Sequence, residues 1–214
     1  HGSVNVVKDT FLARLPWPEP ATRRSETEVG MASSRRIGAP DAKNRSVLLD
    51  AAEQLMVESG YAAVTSRRVA EKAALKPQLV HYYFRTMDDL FMEVFRRRAE
   101  EGLQIQAAIL DAPHPLRALW NFSTDSTGVA VTMEFIALAR HRPALRAEIA
   151  RYSELFRVGQ LAAAEQVLAR TEYDVSRIPA VVVSVLMTSI SRVVVMEEAL
   201  GVTAGHAETI ELID

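Results

Sequence analysis

The chain contains no cysteine. That excludes a disulfide scaffold, a thiol nucleophile and any thiolate-bound zinc or iron–sulfur centre, and it agrees with a reducing compartment. Glycine and proline are sparse, 9 of each in 214 residues, which excludes collagen-like and low-complexity organisation. The sequence has no phosphate-cradling glycine-rich loop and no Gly-x-Ser-x-Gly elbow. His114, His141 and His206 stand singly, without the four-residue helical spacing of a zinc site. These absences leave no catalytic set, no metal site and no implied cofactor, and the chain reads as a non-enzyme.

What is present suffices for a buried core. Hydrophobic residues make up 49% and charged residues 24%, the balance of a globular protein. The uncharged run from Ile178 to Ser191 is 14 residues long, short of the roughly 20 needed to cross a bilayer. No membrane partner is expected from it. Near the N-terminus, Val4, Val7, Leu12 and Leu15 are interrupted by Asn5, Lys8, Asp9 and Arg14, so no signal peptide is read and a cytoplasmic address is expected. His1-Gly2-Ser3 reads as a tag remnant, and Pro16, Pro18 and Pro20 with the polar stretch after them read as a flexible arm through residue 42.

Net charge is −2, but it is unevenly spread. Between Met31 and Arg85 there are nine basic residues against five acidic ones, and from Thr86 onward 12 against 18. A basic head on an acidic body suits a protein whose contact face alone meets a polyanion.

Apolar periodicity then lays out helices with no convincing strand signal. Val47, Leu48, Ala51, Ala52, Leu55 and Met56 mark a helix over about 43–59, with Gly60 as its C-terminal stop. Thr65 caps a short helix over 66–73. After the turn Ala74-Leu75-Lys76, Pro77 opens a third helix at a position where its missing N–H costs nothing. Thr86 and Asp89 form a capping box opening a fourth helix to about Ala108. Five more follow: one ending near Phe122, one over 128–141, one over 143–171, one over 178–200 capped by Ser176, and a last one after Gly205. The fold class is all-α, with about nine helices. A head at 43–85 precedes a body at 86–214.

The pair 66–73 and 77–84 describes a helix-turn-helix. Ala70, Ala73 and Ala74 allow close crossing, and Leu75, Val80 and Phe84 seal the unit against the first helix. Gln78, Leu79, His81 and Tyr82 remain outward, a set suited to the major groove. Arg67 has the geometry to pair bidentately with guanine or clamp a phosphate, and Gln78 to pair with adenine. Thr65, Ser66, Lys76, Tyr82 and Tyr83 suit phosphate contacts that fix register. Arg96-Arg97-Arg98 reads as a solvated charge run.

The residues from Thr65 through Ala74-Leu75, then Leu79-Val80-His81-Tyr82-Tyr83-Phe84 and Asp88-Asp89-Leu90, resemble the tetracycline-repressor (TetR) family of transcription regulators. The resemblance covers about Lys43 to Glu93. It implies DNA contacts by Ser66, Arg67, Lys76, Pro77, Gln78, His81 and Tyr82, beside Thr65. Met87 departs from the pattern, standing where a phosphate-contacting lysine is common, which shifts backbone contacts to Arg85, Arg35 or Arg36. The resemblance also implies a double-stranded DNA operator as partner, a homodimer through 178–214, and an effector pocket in the body. Trp120, Phe122, Met133, Phe135, Tyr152, Phe156 and Met187 are candidates for its apolar lining, with Asn121, Thr124, Glu134 and Arg192 as polar orienters. Glu134 is the sharpest of these, the only charge between Gly128 and Ala139. The expected function is a ligand-responsive regulator, most simply a repressor released by a small, largely apolar effector. The alternative is a ligand-independent helical architectural factor.

Overall fold

A computed structural model describes residues 43–170 and 178–213. The N-terminal arm with Arg35 and Arg36, and the expected cap Ser176, lie outside the described residues. Among the described residues every regular element is helical: nine α-helices and one 3-10 turn.

Helix α1 (Lys43–Ser59) buries Leu48, Leu49, Ala51, Ala52, Leu55 and Met56 along one face. Gly60 ends it at φ 75°, a left-handed conformation that favours glycine. A 3-10 turn, Tyr61–Ala63, leads to α2 (Ser66–Lys72), whose first turn is capped by Thr65 Oγ1 accepting from the Arg68 amide at 3.3 Å. Lys72 is the last residue of α2 because the chain turns there. Ala74 N donates to Glu71 O and Leu75 N to Ala70 O, the paired bonds of a Schellman stop. Its left-handed position is held by Ala74 at φ 53°.

Helix α3 (Pro77–Tyr83) has Pro77 in its first turn, as its sequence requires. Thr86 and Asp89 close both bonds of the capping box, at 3.0 Å each, and start α4 (Met87–Leu110). Then come α5 (Pro115–Ser123), α6 (Ser126–Ala139), α7 (Pro143–Leu168), α8 (Ala180–Ala199) and α9 (His206–Ile213). Helix α6 begins two residues before the apolar run at Gly128, because Asp125 accepts from the Gly128 amide and caps it.

One core joins head and body. Leu48, Val69, Val80, Phe84 and Leu90 pack continuously with Val131, Phe135 and Leu138 of α6 and with Leu145 of α7. Helix α8 is the one described helix long and apolar enough to cross a membrane by length and composition. Several of its polar side chains are turned toward the rest of the chain. Ser184, Thr188 and Ser191 face inward, where Thr188 Oγ1 donates to Gln160 Oε1 of α7 at 3.2 Å. Val181, Val182, Val185, Leu186, Val193 and Met196 are left exposed.

Candidate nucleic-acid interface and body cavity

In the helix-turn-helix, burial separates the packing residues from the reading residues. Val69, Ala70, Val80 and Phe84 are buried. Thr65, Arg67, Lys76, Pro77, Gln78, His81 and Tyr82 are exposed, and Ser66 is half-buried. All eight sequence candidates thus lie at the start of α2, the turn and α3. Tyr82 and Tyr83 meet edge to face at 5.0 Å, holding Tyr82 outward while Tyr83 packs on the core. Met87, the departure from the family pattern, also packs on the core.

The arginine run on α4 is a correction to the sequence reading. Rather than forming a solvated face, it fastens three helices together. Arg97 Nη1 lies 2.6 Å from Asp50 and Nη2 2.9 Å from Glu53, while Arg98 reaches Glu53 at 2.5 Å, so both grip α1. Arg96 Nε pairs with Glu148 of α7 at 2.7 Å. Burial works against the charge on Arg97, but the Glu53 and Asp50 carboxylates prevail and its pKa is raised. Glu148 is held at about 2, chiefly by hydrogen bonds from Arg151 and also from Arg96, against the opposing effect of burial. Only long-range packing shows that the stripe faces acidic positions on α1, so the run by itself gives no sign of it.

Glu134 also takes a different place. Its Oε2 accepts from the Tyr61 amide at 2.6 Å, beside Gly60. It joins α6 to the turn after α1 and does not line the cavity. A carboxylate facing an N–H of a tight turn satisfies a donor that the 3-10 geometry leaves unpaired.

The body holds a cavity of about 470 Å³ bounded by α4, α6, α7 and α8 and the end of α5. Of the expected lining, Phe122, Met133, Phe135, Tyr152, Phe156 and Arg192 are on its wall. Trp120, Asn121, Glu134 and Met187 are not, nor is Thr124. Trp120 is buried in packing, Asn121 faces solvent, and Thr124 is spent on the Trp120 carbonyl at the end of α5. Sequence reasoning missed Phe95, Ser153, Arg157, Gln160, Thr188 and Ser191. On α7 the signal was available: Tyr152, Ser153, Phe156, Arg157 and Gln160 follow the three- and four-residue rhythm of one helical face.

The wall is organised by aromatic contacts. Phe95 lies edge-on to Phe135 at 5.3 Å and to Tyr152 at 5.6 Å, and Phe122 stacks on Phe156 at 6.4 Å. Tyr152 donates to Glu100 at 3.0 Å; burial and that carboxylate raise the phenol's pKa. Gln106 donates to the Phe156 carbonyl at 3.1 Å, fixing the backbone behind the stacked pair.

Comparison with known proteins agrees with this geometry. Residues 48–94 match the family model of bacterial regulatory proteins, tetR family. Over 87 residues the chain is 32% identical to the HTH-type transcriptional repressor BepR of Brucella suis biovar 1 (strain 1330). That match takes in 40% of this chain and 42% of BepR, so it spans less than half the length of that relative. The fold is similar to that of a protein from Rhodococcus sp. assigned to the TetR family of transcriptional regulators (TM-score 0.65, 18% identity, 81% of this chain and 98% of that one). It is also similar to the fatty acid degradation regulator FadR from Bacillus halodurans (TM-score 0.60, 16% identity, 75% and 89%). At residues 48–94, therefore, the chain carries the helix-turn-helix domain of the tetR family of bacterial regulatory proteins.

Proposed function

We propose that the protein is a cytoplasmic, ligand-responsive transcriptional repressor that binds a palindromic operator as a homodimer and is released by a small molecule held in the body. The observation that carries this reading is the sharing of α4. It starts directly after the DNA-reading helix, grips α1 through Arg97 and Arg98, and then forms one wall of the cavity through Phe95, Ala99 and Gly102. Residues 43–85 read DNA in this scheme, and 86–214 hold the effector and dimerise. The exposed apolar face of α8 supplies the dimer contact, and two copies related by a two-fold axis match the symmetry of a palindrome.

Recognition helices of such a dimer must sit about 34–36 Å apart, so a tilt of α4 by a few ångströms at its DNA end opposes binding. The effector weakens DNA affinity by as much as it prefers the tilted state, typically about 5- to 150-fold, and DNA weakens the effector equally. Selection of bound fragments from random duplex DNA tests the reading. A palindromic consensus is expected, with affinity falling steeply as salt rises. An asymmetric single half-site, or no enrichment, would overturn it.

A further inference from the structure

The cavity wall combines two chemically different sets of residues. Phe122, Phe135 and Phe156 make one part apolar and aromatic. On the α7–α8 side two guanidinium groups, Arg157 and Arg192, line the same space beside Gln160. Arg157 donates to Ser184 Oγ at 3.2 Å, which uses one of its five N–H groups. Among the described residues neither arginine makes an ion pair with a carboxylate, in contrast to Arg96, Arg97 and Arg98. Burial and the neighbouring Arg157 both lower the pKa of Arg192, so the two like charges oppose each other across the site.

Two carboxylates also touch the cavity, but both are on other walls. Asp125 is committed to capping the Gly128 amide at the start of α6, and Glu101 is exposed on the rim formed by α4. Arg98, the third guanidinium on the wall, is committed to Glu53. The unneutralised positive charge therefore belongs to Arg157 and Arg192.

Arg157 is half-buried and Arg192 exposed, and two like charges facing one space without a carboxylate partner repel each other; an anion between them removes that repulsion, and the planar fork of arginine suits a carboxylate. Resting on the effector reading above, we propose that the cavity takes an amphipathic organic anion, with its carboxylate between Arg157 and Arg192 and its aromatic or acyl body against Phe122, Phe135 and Phe156. This replaces the largely apolar effector of the sequence reading with a charged one.

Calorimetric titration of the full-length protein with 4-phenylbutanoate, 4-phenylbutan-1-ol and 4-phenylbutylamine tests the charge at constant shape. The acid is expected to bind about tenfold or more tighter than the alcohol, and the amine weakest. Arg192→Gln and Arg157→Gln should each weaken the acid about tenfold and leave the alcohol within about twofold, while Arg192→Lys recovers part of the loss. Thermal melts identify any variant that fails to fold. Arg157→Gln loses the bond to Ser184, so Arg192→Gln, whose side chain repels its neighbour, carries the test if the other misfolds. Alcohol binding as tight as the acid in the parent, or acid binding indifferent to both substitutions, overturns the anionic site while leaving the effector cavity standing. Absence of saturable binding by all three probes overturns both.

Discussion

Helices α1 and α8 are built inside out relative to each other. Helix α1 buries Leu48, Leu49, Leu55 and Met56 and turns Asp50, Gln54 and Glu58 outward. Helix α8 buries Ser184, Thr188 and Ser191 and turns Val181, Val185, Val193 and Met196 outward. The first is complete within its own chain. The second leaves a contiguous apolar face exposed, the kind of surface that the proposed dimer contact would cover. The polar inner face of α8 has its own use, since Thr188 and Ser191 border the cavity.

The contrast breaks most readily at Val185, which is 44% exposed. Val185→Asp is expected to leave a folded helical monomer, since the charge is hydrated in one copy and buried without a partner in two, a penalty of several kcal/mol. Sedimentation velocity with circular dichroism checks it; a stable dimer of the variant would move the interface elsewhere. The mirror experiment on α1 is Leu48→Ala. That side chain is fully buried, and its truncation should cost about 2–5 kcal/mol of stability in denaturant titration without changing oligomeric state at low denaturant.

Arg67→Ala asks whether the head is as self-sufficient as α1 suggests. With Arg67 exposed, stability should hold while operator affinity falls by about 1–3 kcal/mol at matched salt in a fluorescence anisotropy titration. Unchanged affinity would remove Arg67 from the reading face.

A smaller effect concerns acid. Glu148 has a folded pKa of about 2 against an ordinary 4.5, so its contribution to stability is present in full above 4.5 and is lost as pH falls toward 2. Glu148→Gln should flatten that part of the stability profile measured by chemical denaturation, and an unchanged slope would show that other carboxylates govern it. The smallest shift is expected from Ala74→Gly. It relieves a left-handed alanine at φ 53° at the cost of greater chain entropy when unfolded, a net gain of about 1 kcal/mol or less. A lower melting temperature in calorimetry would show that Ala74 is held there by packing.

The head was legible in the sequence because its signals are local. Thr65, Pro77 and the Thr86 with Asp89 pair each act on amides within a turn of themselves, and each does in the structure what its position implies. The turn Ala74-Leu75-Lys76 was read from its place between two helices, whereas the Schellman geometry that places Ala74 at positive φ has no alanine signature. Partners separated by long stretches of chain were not legible. Glu134 stood out as a lone charge, which is true, but its partner is a backbone amide 73 residues away. The same holds for Arg97 and Asp50, 47 residues apart. Arg192 was picked from its own helix, while Arg157, its neighbour in the cavity, went unnoticed because a charged residue on a long helix ordinarily faces water.

One glycine sets how closely the cavity wall meets α4. Gly102 sits in the middle of α4, where a β-carbon would stand 2.9 Å from the Phe156 ring, so the ring rests against bare helix backbone. Arg96, Arg97 and Arg98 all precede it and clamp the first half of the helix to α1 and α7. From Gly102 back to Met87 the helix runs about 22 Å at 1.5 Å per residue. A bend of about 5° at the glycine swings Met87, and the reading helix just before it, through about 2 Å. Since Phe156 is part of the cavity wall and rests on this glycine, an effector of the proposed kind that displaces the ring would press on α4 there, and the arginine clamps would carry α1 and the reading helix along with it.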